Sequence, residues 1–293
     1  MAKARKILRH AKAIKNIAAV TKTMGMVSTV RFKKTYDRAT ASKPYSQRLV
    51  DLVADVIERS TEINHPLLRV DETVKTDVLL AITGNRGLAG AYNNSIVRLA
   101  TERIAQMKQG GYKVRIFSSG KKGTGALRSR GYEVERDFTN FDFWPKVADV
   151  NALADELMNE FLAGRISGLE VAYTQFISTG SQKPAIAQIL PLTQLDRPKP
   201  LVAPPQPPAP YEFLPSSNEI LETLLPATVR LRLFQCFIDA SVSEQICRMT
   251  AMQAATENAE EMIHHLTVQY NRARQSQITT ELAEIMGGSE GVA

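Results

Sequence analysis

From Ala227 to Met286 the chain runs without a single proline or glycine. At about 1.5 Å per residue this stretch predicts one helix roughly 90 Å long, against the roughly 8–20 residues of an ordinary globular helix. Its apolar positions recur every seventh residue. One line is Val242, Met249, Ile263 and Tyr270, interrupted by Thr256; the other is Met252, Ala259, Leu266 and Ala273. That is the seam of a coiled coil, and a seam needs a partner. The opposite end of the chain supplies one. Between residue 2 and about residue 58, Ile7, Ala11, Ile14, Ala18, Thr21, Gly25, Ser28 and Phe32 follow steps of three and four. Most of these side chains are small, so a second backbone can approach closely. Gly25 and Pro44 interrupt this helix, and a mid-helix proline costs about 3 kcal/mol, which predicts a bend near Pro44. Two long terminal helices with one narrow seam each predict a single antiparallel coiled coil that closes the chain on itself.

The middle has a different rhythm. Asn64, His65 and Pro66 punctuate the end of the first helix, and DVLLAIT (77–83) reads as a buried strand. The glycine-rich loop GNRGLAGAYN follows, then an amphipathic helix to about Gln109 capped by Gly110 and Gly111. Strand KVRIFSS, short helix KKGTGALRSR, helix 148–163 and strands 169–176 and 185–192 complete the region. Alternation of strand and helix predicts an α/β, Rossmann-like domain with a largely parallel sheet. The proline-dense run LDRPKPLVAPPQPPAP predicts a semi-rigid extended connector. Ser216 and Glu219 fit a capping box for the final helix, which Pro226 is expected to break or kink. The predicted organisation is a coiled-coil helix over 1–60, an α/β domain over 70–195, a connector over 196–215 and a second coiled-coil helix over 216–293.

Charge sharpens the picture. The first 36 residues hold ten Lys or Arg and no acid, so the remainder carries 27 basic against 30 acidic side chains. A mildly acidic body with a basic leading segment implies an acidic partner: a protein surface, a membrane or nucleic acid. A simple solvated face fits equally. Only Phe32 and Tyr36 are aromatic within that segment, which weakens the nucleic-acid reading. No run of 18 or more apolar residues exists, and the start, MAKARKIL, shows neither the apolar core of a secretory signal nor the serines of a transit peptide. The expectation is a cytosolic chain in mature form.

Candidate chemistry is sparse. Neither Gly84–Gly90 nor GKKGTGAL (120–127) matches G-x-G-x-x-G or G-x-x-x-x-G-K-[ST], so both read as structural turns. His10, His65, His264 and His265 include no i, i+4 pair, so no helical metal site is expected. Cys236 and Cys247, eleven residues apart, would lie about 16 Å apart along a helix, beyond the roughly 7 Å that a disulfide spans. No catalytic grouping, cofactor or metal is predicted. A nucleic-acid-binding coiled coil and a stand-alone nucleotide enzyme built on the α/β domain are the alternatives to a mechanical interaction protein.

Three stretches carry a family resemblance: TKTMGMVSTVRFKK (21–34), TGNRGLAGAYN (83–93) and ENAEEMIHHLTVQYNRARQSQITTELAEIMGG (257–288). In order and spacing the chain resembles the gamma subunit of the F-type ATP synthase, the central rotor stalk, over essentially its full length. The resemblance implies two terminal helices wound together inside a hexamer of alpha and beta subunits. It places the α/β domain at the foot beside epsilon and the membrane c-ring, and gives the chain no active site, cofactor or nucleic-acid partner of its own. It implies rotor–stator contacts at Arg274, Gln275, Thr279 and Glu281, facing a catch loop of beta, and at Lys6, Arg9 and Lys12, facing acidic beta loops. Shaft packing would fall to Met24, Ile14, Met249, Ile263 and Leu266. Asn85 stands where the family has an acid, Ala89 where it often has Cys, and Pro226 and the proline-dense region are departures. Absence of the chloroplast cysteine insert and of a transit peptide implies a bacterial enzyme, peripheral on the cytoplasmic face of the plasma membrane.

Overall fold

The computed structural model describes residues 2–59, 65–69, 73–141, 144–192 and 217–290. They group into two compact units, Met1–Val30 with Arg248–Ala293, and Arg31–Cys247. The terminal helices are α1 (Ala2–Arg59) and α5 (Ser217–Glu290).

The larger unit is built on a five-stranded sheet. Its strands are β1 (Thr76–Ile82), β2 (Lys113–Ser119), β3 (Arg136–Phe138), β4 (Gly168–Ser178) and β5 (Ser181–Leu190), in the order β3-β2-β1-β4-β5. All pairings are parallel except the β4–β5 hairpin. A parallel strand at the centre of such a sheet is covered on both faces, so it reads as an unbroken apolar run rather than an alternation. β1 does this with Val78-Leu79-Leu80-Ala81-Ile82, all buried. Val78, Leu80 and Ile82 point to one face, where they meet Leu153 and Leu157 of α4 (Val147–Leu162) and Leu225, Val229, Leu233 and Phe237 of α5. Leu79 and Ala81 point to the other, against Ile96, Ala100 and Ile104 of α2 (Tyr92–Gln109) and Leu127 of α3 (Lys121–Ser129). The expected α/β layering is present, and the short edge strand β3 is an addition that three residues of sequence gave no reason to anticipate. Val53 and Val56 of α1 also join the α4 side of this core.

Helix α5 runs through Pro226 without a break, so of the expected break or kink the break is absent. Leu221, Leu225, Val229 and Leu233, one residue per turn, are all fully buried on either side of it. Burying each such side chain contributes about 1.5–3 kcal/mol, enough to offset the proline. The carbonyl that loses its donor belongs to Glu222, on an exposed turn where water can serve. Pro44 likewise lies within α1. His65 acts as turn punctuation: its Nδ1 accepts from the Leu67 amide at 3.2 Å and caps a single 3-10 turn over Pro66–Leu68. Ser216 of the expected capping box and residues 196–215 of the expected connector lie outside the described residues.

The smaller unit is the seam. Along α1 the shielded positions are Ala4, Ile7, Ala11, Ile14, Ala18, Thr21, Gly25 and Ser28, with Met24 beside them. Along α5 they are Met252, Thr256, Ala259, Ile263, Leu266, Tyr270, Ala273 and Gln277. Both series step by alternating threes and fours, the coiled-coil signature. Thr21 Oγ1 lies 2.7 Å from Thr256 Oγ1. Four residues up α1, a Cβ on Gly25 would sit 3.6 Å from the Met252 Cβ, four residues down α5. The helices are therefore antiparallel. Thr256, an apparent interruption in sequence, is half of a polar layer across the seam.

Glycines discriminate between room and no room. At Gly25 an added methyl meets nothing closer than ordinary van der Waals distance. At Gly123, in α3, it would stand 2.3 Å from the Thr83 Oγ1, which accepts the Gly123 amide. Gly25→Ala is expected to stabilise the seam by about 0.5–1 kcal/mol through helix propensity, while Gly123→Ala lowers stability; thermal melts of the two variants read the opposite signs.

On the sheet's edge, Arg115 donates to Glu135 at 2.7–3.1 Å and also engages Glu160. Its hydrogen bonds hold the Glu135 carboxyl below the usual carboxylate range. A depressed folded value means that the contribution is present above the unfolded pKa, about 4.3, and is lost as pH falls through the folded one. Glu135→Gln should flatten the acid limb of stability and cost under about 1 kcal/mol at neutral pH, given its exposure; urea midpoints at acid and neutral pH check both.

Candidate functional site

Two places could carry function: the outer face of the terminal coiled coil, and the crevice at the carboxyl ends of the parallel strands, where this class of sheet binds its ligands.

In the crevice the groups that a phosphate would need are already engaged. The Gly84 amide donates to the Asn93 Oδ1 at 2.8 Å. At the start of α3 the Lys121 amide donates to Asn85 Oδ1, the Lys122 amide to the Gly84 carbonyl and the Gly123 amide to Thr83 Oγ1. Helix α3 thus spends its first-turn donors on the β1–α2 loop instead of on an anion. Gly120, at φ 96°, has the Thr83 carbonyl 2.2 Å from where a Cβ would be, so glycine is there to let two loops touch. Both glycine-rich stretches are tight packing junctions. Among the described residues no group of three or more His, Cys, Asp or Glu is placed to hold a metal. Cys236 is buried and burial pushes its thiol up to about 12, which leaves it protonated and unreactive.

The coiled coil presents the opposite situation, a surface with side chains to spare. Lys6, Arg9 and Lys12 are exposed on α1, off the seam. Arg274, Gln275, Thr279 and Glu281 are exposed on α5. At about 100° per residue, Arg274 and Glu281 share one stripe of the helix and Gln275 and Thr279 the neighbouring one. Thr279 donates to the Gln275 carbonyl at 3.0 Å, and the Gln277 amide donates to Glu281 at 2.8 Å, so both stripes are ordered along the helix itself. Ile14, Ile263 and Leu266 lie on the seam, whereas Met24 and Met249 are half-buried beside it.

Register decides which of these residues meet. With Gly25 beside Met252, Ala4 falls level with Ala273, and a common groove is lined by Ala4, Ile7, Gln269, Arg272, Ala273, Ser276 and Gln277. Lys6 and Arg9 of α1 therefore fall at the same, basic end of the seam as Arg272 and Arg274 of α5. Thr279 and Glu281 do not join it. They lie past the level of Ala2, on a stretch of α5 that, among the described residues, runs for about 20 Å without α1 beside it. That tip carries Ile278, Leu282 and Met286 one turn apart, 43%, 56% and 70% exposed. The four-residue spacing of this stripe, not singled out from sequence, is the signal of an apolar helix face. No helix among the described residues is long and apolar enough to cross a membrane.

Comparison with known proteins agrees with this geometry. A family model described as ATP synthase matches residues 3–292. The ATP synthase gamma chain of Rhodopirellula baltica is 42% identical over 100% of this chain and 99% of its own length. That of Desulfitobacterium hafniense is 34% identical with both chains fully covered. Among solved structures, a chain of the Euglena gracilis mitochondrial ATP synthase (OSCP/F1/c-ring, rotational state 3) has the same fold, with a TM-score of 0.67, 18% identity, and coverage of 99% of this chain and 95% of that one. A chain of the rotor of the same enzyme in rotational state 1 gives a TM-score of 0.65 over 94% and 99%. From its seam, its unused ligand crevice and its full-length relatives, this chain belongs to the ATP synthase gamma chain family.

Proposed function

We propose that this chain is the rotating central shaft of an F-type ATP synthase, coupling ion flow, expected to be of protons, through a membrane c-ring to ATP synthesis or hydrolysis on alpha and beta subunits. The observation that carries the reading is the tip of α5, which among the described residues extends beyond α1 and exposes Ile278 and Leu282. A solitary helix with an apolar stripe is stable only when something encloses it, and a ring of alpha and beta subunits is such a sleeve. The basic end of the seam, with Lys6, Arg9 and Arg274, and Lys12 one turn further, suits acidic beta loops; Gln275, Thr279 and Glu281 suit a catch loop. A shaft must break and remake its contacts at every step. Exposed charged pairs, worth about 0–1 kcal/mol each, permit this where a tight apolar interface would not. The α/β domain then stands at the foot with epsilon and the c-ring, and the assembly lies on the cytoplasmic face of a bacterial plasma membrane. The chain contributes no catalytic group and touches the membrane only through its partners.

Co-expression with alpha, beta and epsilon subunits tests this. The expected result is a complex that hydrolyses ATP and turns a bead attached to this chain, with no hydrolysis by the chain alone. Isolation of the chain as a free ATPase, or failure to assemble, would contradict it. Within that complex Arg274→Ala or Glu281→Ala should lower turnover by no more than about fivefold, the kinetic equivalent of about 1 kcal/mol. Combined replacement of Ile278, Leu282 and Met286 by Ser should weaken assembly more than either charge change; sedimentation of the complex and steady-state hydrolysis distinguish the two effects.

A further inference from the structure

One side chain of helix α5 enters the crevice of the α/β sheet. Strand order reverses between β1 and β4, which is where this sheet class holds a ligand. A side chain of α5 reaches that point. A Cβ on Gly84, the second residue past β1, would stand 2.6 Å from the Glu244 Oε1 and 2.9 Å from its Cδ. Gly84 is not among the residues of positive φ, so glycine is needed there for space and not for backbone conformation. Glu244 is only 9% exposed, so its side chain is enclosed by protein on most sides.

The notch itself is rigid. The Gly84 amide is held by Asn93 and its carbonyl by the Lys122 amide, and Asn85 binds the Thr139 carbonyl and the Lys121 amide. On the neighbouring residue of α5, Ser243 donates to the Thr174 carbonyl of β4 at 3.3 Å. Thirteen residues earlier, Arg230 donates to Asp155 of α4 at 2.5 Å. The two attachments are about 20 Å apart along the helix axis. An apolar stripe alone lets a helix roll within its groove; a buried side chain seated in a backbone notch opposes rolling.

We propose that Glu244 seated against Gly84 is a key that prevents α5 from turning relative to the α/β domain, and so a positioning residue for torque transfer. The proposal rests on the rotor reading given above. A key acts by filling space, so Glu244→Gln retains it while Glu244→Ala removes it. Gly84→Val pushes the side chain out from the opposite wall.

The test uses the complete enzyme in membrane vesicles. Proton uptake per ATP hydrolysed is read with a pH-sensitive dye, and ATP hydrolysis is read separately on the complex detached from the membrane. The expected result is a fall of about threefold or more in uptake per ATP for Glu244→Ala and Gly84→Val, the size of effects carried by packed networks. Glu244→Gln stays near wild type, and hydrolysis by the detached complex is unchanged in all three. Uptake per ATP equal to wild type in Glu244→Ala overturns the key, as does an equal loss in the Gln variant or a parallel loss in the detached complex. Should Gly84→Val not fold, the Ala and Gln pair at Glu244 decides alone. Failure of the wild-type chain to support any uptake would instead count against the rotor reading.

Discussion

Close approach of two helices through small side chains is the constraint on which the terminal unit depends. Ala4, Ala11, Ala18 and Gly25 on one helix face Ala273, Leu266, Ala259 and Met252 on the other, so a small residue is present in each of these layers. Such a seam is narrow and buries little apolar surface per layer. Its specificity has to come from elsewhere. The Thr21–Thr256 hydroxyl pair provides it, because sliding either helix by one coiled-coil step would set a hydroxyl against an apolar neighbour. Each threonine also points its hydroxyl to its own preceding turn, at the Ala18 and Met252 carbonyls. Two hydroxyl protons therefore serve three short contacts, and the layer is satisfied in either direction of donation.

The α/β unit obeys the same rule of close approach at different places. Its loops are drawn together until Gly120 and Gly123 touch Thr83 and Gly84 touches Glu244. Every one of these contacts uses up a donor or a space that a nucleotide would require. A fold widely used for binding has here been turned into a mount. The terminal helices keep long charged side chains exposed, Lys6, Arg9, Lys12 and Arg274 among them, which is where an interaction protein keeps its working surface.

Much of this was legible in the sequence. Seven-residue spacing located both halves of the seam, and strand–helix alternation located the sheet. The apolar run Val78–Ile82 marked a strand covered on both faces. What escaped had physical reasons. Thr256 looked like a defect because a hydroxyl's partner lies 235 residues away along the chain. Pro226 looked like a break because local propensity says so, whereas Leu221, Leu225, Val229 and Leu233 hold the helix from outside. β3 is too short for any periodicity to show. The site residues could be named by resemblance, but their division between a two-helix basic end and a one-helix tip follows from register, which only the Thr21–Thr256 and Gly25–Met252 pairs reveal.

A cross-link inside the seam tests the central claim most directly. Thr21→Cys and Thr256→Cys, combined in the assembled complex and oxidised, should join the two helices while ATP-driven rotation continues at its former rate, since both helices turn as one shaft. Failure of the pair to cross-link, or a bond that forms and stops rotation, would contradict the account.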